Sequence, residues 1–170
     1  PTVSAVICTV NRPQLLRAAI ASIVAQRYNG VVETIVVYDG TEPDESLNSA
    51  DPLRPVTVMG NTHRPGLPAG RNCGAEAATS EYLGFCDDDD TWLGGKAAAQ
   101  VAQLVAHPEV DAVVCGLEVD HRGEVIPRPL HTDAVTFGDL LDDRMMEVEF
   151  VTTMVRRAAY LDPERLGGAD

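Results

Sequence analysis

The sequence predicts a single α/β domain with a mainly parallel central sheet. Its 170 residues suit one domain, and a content of 45% hydrophobic and 23% charged residues is ordinary for a globular protein. Apolar strand-like runs alternate with segments of helical periodicity in the order β-α-β-β-α-β-α, followed by a β-rich part. Strands joined through helices pair in parallel between layers of helices, so this alternation favours an α/β sheet.

The first part of the chain begins with a buried strand and a helix. Residues 3–9 (VSAVICT) form a short, β-branched apolar run typical of a buried strand. A helix is predicted next, because Pro13 suits a first helical turn and apolar residues then recur at helical spacing. Next come a strand that ends at Asp39-Gly40 (31–40), a polar loop (41–54) and a short strand (55–59).

The remaining elements are predicted from periodicity and from turn residues. A Gly- and Pro-rich loop precedes an Ala-rich helix, and Pro108 stops a later helix because proline cannot continue one. The tripeptide His121-Arg122-Gly123 indicates a hairpin turn. The predicted elements are a helix (69–79), a strand (81–86), a helix (93–108), two hairpin strands (110–120 and 124–130), a helix (136–143), a strand (147–157), and a short helix that runs into a Gly turn (158–170).

Four consecutive aspartates, Asp87 to Asp90, follow the strand predicted at 81–86. Adjacent carboxylates repel each other, and crowding raises the pKa of at least one, so either water or a cation must offset the charge. Carboxylate oxygens suit Mg²⁺ or Mn²⁺, which take one or two protein carboxylates and their other ligands from phosphates and water. The alternative is a solvated acidic loop in which Asp90 caps the next helix.

Polar residues also follow the other predicted strands. Residues 9–12 come after the first strand, Asp39 ends the second, and Arg71 lies near the start of the Ala-rich helix. Ligands of open α/β sheets bind outside the carboxyl ends of the strands, so we expect these groups to converge with the aspartates. The dinucleotide and P-loop phosphate signatures do not occur in the sequence.

Charge and cysteine usage limit the class of partner. The net charge of −13 argues against binding to nucleic acid or to an anionic membrane surface. No run of 18 apolar residues predicts a membrane span, and the four cysteines form no CxxC pair. The expectation is a cytoplasmic protein with reduced, buried thiols.

Several segments, in order, resemble the family 2 inverting glycosyltransferases. VSAVICTVNRPQLLRAAIASIVAQRY resembles the family's opening strand and helix, and ETIVVYDGT resembles its second strand. GLPAGRNCGAEAATSEYLGFCDDDDTW resembles its Arg-Asn helix and DxD-type turn, and HPEVDAVV and VRRAAYLDPERLGGAD resemble later segments. The resemblance implies a GT-A (nucleotide-diphospho-sugar transferase) fold, which is a Rossmann-like three-layer α/β/α sandwich. Residues 1–170 would form one nucleotide-sugar-binding catalytic domain whose C-terminal part is missing.

The resemblance implies that one group of residues binds the nucleotide base. Thr9, Val10 and Arg12 would line the base pocket. Asp39 would accept a hydrogen bond from the N–H of uracil or thymine. Arg71 would contact the base or the diphosphate.

The aspartate run would hold the rest of the nucleotide and a metal. Asp88 would lie near the ribose. Asp89 would bind Mn²⁺ or Mg²⁺, with Asp87 in support. Asp90 would cap the next helix or face the donor sugar.

The implied reaction is metal-dependent, inverting transfer of a sugar from a UDP- or dTDP-sugar to an acceptor hydroxyl on a saccharide, lipid or small metabolite. The family's general base is an Asp or Glu that follows a Gly-Gly-Phe-Asp turn. Here LGGAD (166–170) ends the sequence, so the base is expected beyond Asp170 and no catalytic residue is assigned.

Two other hypotheses are compatible with the same residues. Asp87-x-Asp89-x-Thr91 also fits the DxDxT pattern of haloacid dehalogenase-like phosphatases, with Asp87 as nucleophile and Asp89 as acid/base. That pattern belongs after the first strand of its fold and needs a downstream lysine, for which Lys96 is the single lysine in the sequence. A domain that binds nucleotide-sugar without transferring it is the second alternative.

Overall fold

A computed structural model describes residues 1–136 and 148–162. The strands are β1 (Val3–Thr9), β2 (Val32–Tyr38), β3 (Val56–Gly60), β4 (Tyr82–Asp87), β5 (Ala112–Val114), β6 (Leu117–His121), β7 (Glu124–Arg128) and β8 (Thr153–Arg156). The helices are α1 (Pro13–Val24), α2 (Leu67–Ala77), α3 (Lys96–Ala106) and the short α4 (Arg157–Tyr160). The helix predicted at 136–143, except Thr136, and the Gly turn predicted at 167–170 lie outside the described residues.

Within the described residues, the central sheet has six strands in the order β3-β2-β1-β4-β8-β5. Strand β1 pairs in parallel with both β2 and β4, and β2 pairs in parallel with β3. Strand β8 runs antiparallel to β4 and β5. The prediction of a mainly parallel sheet is confirmed. The register places Thr9 beside Tyr38 and Cys8 beside Asp87, so three strands end at one edge.

Helices cover both faces of this sheet. The apolar faces of α1 and α3 pack on one face of the sheet, and α2 packs on the other with Val6, Val37 and Phe85. Side chains alternate between the two faces of a strand, so every side chain of β1 is buried in one layer or the other. The predicted three-layer sandwich is therefore present in the described residues.

The α1 helix forms where the sequence predicts it. Pro13 occupies the first turn, where its missing N–H costs no hydrogen bond. Its buried residues follow helical spacing and are Leu16, Ala19, Ile20 and Ile23. Helix α2 begins at Leu67, two residues before the predicted start, because Pro68 also fits a first turn.

The prediction of one strand over 110–120 is wrong. The segment divides into β5, which joins the central sheet, and β6, which pairs with β7 in a separate hairpin. The chain bends at Cys115-Gly116, where the backbone of the hairpin comes close. A Cβ at Gly116 would lie 2.7 Å from the carbonyl oxygen of Arg128, so glycine permits the approach.

The strand predicted at 147–157 is shorter than expected. Within its described part, Phe150–Thr152 is a single 3₁₀ turn, and β8 follows it. The turn is closed by the backbone N–H of Thr152, which donates to the carbonyl of Glu149 at 3.1 Å, and the N–H of Glu149 donates in return to Thr152 Oγ1 at 3.0 Å. A similar 3₁₀ turn, Glu45–Leu47, lies in the loop predicted at 41–54.

None of the helices in residues 1–136 and 148–162 combines the length and apolar character needed to span a bilayer. The four cysteines lie in the described part of the chain and are free; Cys8, Cys73 and Cys86 are buried and Cys115 is partly buried.

Candidate functional site

The aspartate run forms a tight turn at the carboxyl end of β4. The N–H of Asp90 donates to the carbonyl of Asp87 at 3.0 Å and closes the turn. The buried side chain of Trp92 supports the turn. Its indole Nε1–H donates to the carbonyl of Phe85 at 3.0 Å. A Cβ at Gly84 would lie 2.6 Å from this indole, so β4 carries glycine where the ring crosses it.

Asp88 is completely buried, so the turn is not a simple solvated acidic loop. Its Oδ2 accepts hydrogen bonds from Thr9 Oγ1 at 2.6 Å and from Arg12 Nε at 3.2 Å. Its Oδ1 lies 2.6 Å from Arg12 Nη2, an ion-pair distance without hydrogen-bonding geometry. Asp88 therefore ties the end of β1 to the turn after β4.

Arg12 connects two carboxylates of the run. Besides Asp88, its Nη1 donates to Asp89 Oδ2 at 2.7 Å. The side chains of Arg12 and Asp89 are about half exposed, whereas Asp88 is not exposed at all. Neighbouring Val10 is also exposed, at the turn between β1 and α1.

Arg71 reaches the same turn from α2. Its Nη2 donates to Asp87 Oδ1 at 2.5 Å, and its guanidinium carbon lies 4.2 Å from the centroid of the Phe150 ring. Phe150 also packs edge-on against Phe85, with centroids 5.2 Å apart. Sequence reasoning missed Phe150, because no local pattern relates it to Arg71.

Asp39 organises the loop between β3 and α2. Its Oδ1 accepts from Asn61 Nδ2 at 2.9 Å, and its Oδ2 accepts from the Gly66 N–H at 2.8 Å. Its own N–H donates to the carbonyl of Thr9 at 3.0 Å. Thr9 thus contacts both Asp39 and Asp88, and the expected convergence of the strand ends is confirmed. The sequence did not single out Asn61 or Gly66.

A cavity of about 770 Å³ opens on the other side of the turn, between α3 and the β6–β7 hairpin. Its described lining residues with acidic or basic side chains are Asp89, Asp90, Lys96, Glu118, Asp120, Arg128 and Glu149. Burial, and then the neighbouring carboxylates, raise the pKa of Asp90 to about 6. Burial lowers the pKa of Lys96 to about 8. The hypothesis that Asp90 caps α3 is wrong, because the N-cap is Gly95 and has no side-chain cap.

The residues of the turn fit a hard cation that is shared with a ligand. No group of three or more His, Cys, Asp or Glu side chains in the described residues could hold a metal alone. Mg²⁺ and Mn²⁺ need only one or two carboxylates when phosphates and water complete the shell. Asp87 and Asp89 offer oxygen donors and are 35% and 49% exposed.

A sequence profile described as Glycosyl transferase family 2 matches residues 4–159. The chain therefore belongs to glycosyl transferase family 2. It is 25% identical over 101 residues to the UDP-Glc:alpha-D-GlcNAc-diphosphoundecaprenol beta-1,3-glucosyltransferase WfaP of Escherichia coli, covering 58% of this chain and 39% of that protein. It is 30% identical over 100 residues to the GalNAc(5)-diNAcBac-PP-undecaprenol beta-1,3-glucosyltransferase of Campylobacter jejuni, covering 56% and 32%.

Solved structures establish the GT-A fold. TarS 1-349 of S. aureus in complex with UDP matches with a TM-score of 0.71 and 20% identity, covering 96% of this chain and 49% of that chain. The mannosyltransferase PcManGT from Pyrobaculum calidifontis, in complex with GDP-Man and Mn2+, matches with a TM-score of 0.63 and 22% identity, covering 99% and 47%. The chain spans about one third to one half of the length of the curated relatives it matches.

Family membership and topology favour a transferase over the phosphatase hypothesis. The Asp87–Asp89 pair follows β4 rather than the first strand of the chain. The phosphatase hypothesis requires Lys96 near Asp87 and Asp89. Lys96 instead contacts Gln100 Oε1, and its Nζ lies 4.6 Å from the centroid of the Trp92 ring.

Proposed function

We propose that this chain is the nucleotide-sugar-binding and catalytic part of a metal-dependent inverting glycosyltransferase. The donor is a UDP- or dTDP-sugar and the acceptor is a hydroxyl on a saccharide, lipid or small metabolite. The observation that carries the proposal is the meeting of three strand ends in one polar cluster. Thr9 links Asp39 to the aspartate turn, and that turn is held by Arg12, which precedes α1, and by Arg71 of α2.

The geometry supports separate roles along the nucleotide. Asp39 would accept the N–H of uracil or thymine, since a carboxylate has about four acceptor sites and two are used by Asn61 and Gly66. Thr9, Val10 and Arg12 would line the base pocket, beside Asp39. Arg71, whose guanidinium is positioned by Phe150, would contact the base or the diphosphate.

The aspartates divide between structure and ligand binding. Asp88 would orient Thr9 and Arg12 beside the ribose. Asp89, with Asp87 in support, would hold Mn²⁺ or Mg²⁺ against the diphosphate, and the cation would supply charge neutralisation of the leaving group. Both carboxylates also pair with arginines, Asp87 with Arg71 and Asp89 with Arg12.

The reaction is an in-line displacement at the anomeric carbon. The acceptor hydroxyl forms the new glycosidic bond, the bond to the diphosphate breaks, and a carboxylate base takes the hydroxyl proton. No described residue is assigned as that base, and its position after Asp170 stays a prediction. The four free cysteines support a reducing, cytoplasmic setting.

The lipid-linked acceptors named for two relatives make a lipid-linked saccharide a natural acceptor to test.

A binding domain without transfer activity is the second candidate function, because no base is assigned. A chain extended past Asp170 distinguishes the two. Donor hydrolysis or transfer supports the enzyme, and donor binding without either supports the binding domain.

Calorimetric titration of UDP, with and without Mn²⁺, tests the proposed site. We expect binding that depends on the metal. CDP is the matched control ligand, because cytosine has no N3–H that could donate a hydrogen bond to Asp39. CDP should bind at least several-fold more weakly than UDP. A folded chain that binds neither UDP nor dTDP with Mn²⁺ present would overturn the proposal.

Two variants locate the metal. Asp89→Asn should remove the metal dependence of UDP binding. Asp44→Asn is the matched control, because Asp44 is also an exposed carboxylate paired with an arginine, Arg17, but lies outside the site. Equal loss of metal dependence in both variants would contradict the assignment of Asp89.

A further inference from the structure

The cavity beside the aspartate turn continues the proposed nucleotide site. Asp89 belongs to both, whereas Thr9, Arg12, Asp39 and Arg71 do not line the cavity. Its volume of about 770 Å³ lies within the usual range of small-molecule pockets. In a nucleotide sugar the diphosphate separates the nucleoside from the sugar. A ligand with its base near Asp39 and its diphosphate at Asp89 therefore extends its sugar into the cavity.

The lining of the cavity carries a surplus of negative charge. Among the described residues, five carboxylates, those of Asp89, Asp90, Glu118, Asp120 and Glu149, line the cavity together with the cations of Lys96 and Arg128. If Asp89 is set aside as the metal ligand, four carboxylates remain against two cations. A further carboxylate inside this volume would meet net repulsion in a medium less polar than water.

The two cations are too few to balance these carboxylates. Lys96 lies over the ring of Trp92 and contacts Gln100 Oε1, so its ammonium is already engaged. Arg128 lies at the exposed end of β7. Asp90, in contrast, forms no ion pair or side-chain hydrogen bond among the described residues, although the other three aspartates of the run each contact an arginine. Its carboxylate is available to accept hydrogen bonds from sugar hydroxyls.

We propose that this cavity receives the transferred glycosyl group and selects an uncharged sugar against one that carries a carboxylate. The proposal rests on the proposed function, since it takes the diphosphate to lie at Asp89. It narrows the donor class to neutral hexoses and their uncharged derivatives and excludes uronates.

The test compares UDP, UDP-glucose and UDP-glucuronate, each titrated into the 170-residue chain with Mn²⁺. The two sugars differ only in the carboxylate at C6, so their affinity ratio reports its cost. We expect UDP-glucuronate to bind at least fivefold more weakly than UDP-glucose. Equal affinities, or tighter binding of the uronate, would overturn the inference while leaving UDP binding intact. Failure of UDP itself to bind would overturn the proposed function and this inference with it.

Variants separate charge from shape. Asp90→Asn and Glu118→Gln each remove one cavity carboxylate. Each should lower the ratio of UDP-glucose affinity to UDP-glucuronate affinity by about twofold or more. Glu118 is exposed on β6, so its substitution does not threaten folding. Glu109→Gln is the matched control, because Glu109 is exposed just beyond the opposite end of α3 and does not line the cavity. A ratio that stays unchanged in both cavity variants contradicts selection by charge.

Discussion

Asp88 and Asp89 are adjacent in the sequence but have opposite environments. Asp88 is fully buried and bonded to Thr9 and Arg12, whereas the side chain of Asp89 is about half exposed. Removing the charge of a buried carboxylate leaves its donors without a full partner, which is costly. The exposed carboxylate gains little from its ion pair.

We therefore expect the two substitutions to differ in their effect on stability. Asp88→Asn should lower the free energy of unfolding by about 2 kcal/mol, since the Thr9 and Arg12 contacts both weaken. Asp89→Asn should change it by less than about 1 kcal/mol. Urea denaturation of both variants measures the difference. A larger loss in Asp89→Asn than in Asp88→Asn would contradict the division between a structural and a ligand-binding aspartate.

Asp90 makes stability depend on pH. Burial and the nearby carboxylates raise its pKa from 3.8 to about 6 in the folded chain. Between these values the folded chain binds the proton more tightly than the unfolded chain, so stability falls as pH rises through this window. The penalty is complete at about pH 7 and absent below the unfolded pKa.

Asp90→Asn should therefore stabilise the protein at neutral pH. The expected gain is about 1 kcal/mol at pH 7, after allowance for the screening of a half-exposed group by water. The gain should shrink towards zero near pH 4, where the folded parent is already protonated. Denaturation curves at the two pH values check this, and an equal gain at both would show that the carboxylate charge is not the cause.

At the scale of elements, the contact between β4 and Trp92 holds the aspartate turn in place. Gly84→Ala would put a methyl group 2.6–2.7 Å from two atoms of the indole, so the ring or the strand must move. We expect a loss of about 2 kcal/mol in stability and weaker UDP binding. Gly95→Ala is the control, because a Cβ there meets open space and its φ of −110° suits any residue. Similar losses in both variants would argue against the contact.

Elements that depend on local pattern were predicted from the sequence, and those that depend on distant partners were not. Strands β1 and β2 are mostly apolar and buried along nearly their whole length, because helices cover both faces of the sheet. The break between β5 and β6 is marked locally by Gly116 alone, and its cause is distant, since the backbone at Arg128 returns to Gly116. The 3₁₀ turn before β8 is held by hydrogen bonds among Glu149, Thr152 and Thr153, which hydrophobic periodicity does not reveal.

In the candidate site, too, residues that depend on distant partners were not predicted from the sequence. The strand-end rule placed Thr9, Asp39 and the aspartate turn together, and Arg71 followed from the start of its helix. The rule does not say which carboxylate is buried, and it cannot find Phe150 or Asn61, which reach the site from other segments. The cavity was also missed, because its walls come together only through tertiary packing.

At the scale of the whole molecule, ligand binding should raise thermal stability. A ligand that binds only the folded state at about 100 times its dissociation constant contributes about 2.7 kcal/mol. For a chain of this size that corresponds to a rise in Tm of roughly 5–10 °C. We expect UDP with Mn²⁺ to give such a rise and EDTA to remove it, as read by differential scanning calorimetry. A rise that survives EDTA would contradict metal dependence.

The β6–β7 hairpin lies outside the central sheet. It forms a two-stranded sheet of its own, follows the central sheet through a single glycine bend, and supplies one wall of the cavity. Its sequence can vary without disturbing the strand ends that hold the aspartate turn. If the cavity receives the sugar as proposed, replacing this hairpin alone would change the sugar preference and leave the strand ends of the proposed nucleotide site unaltered.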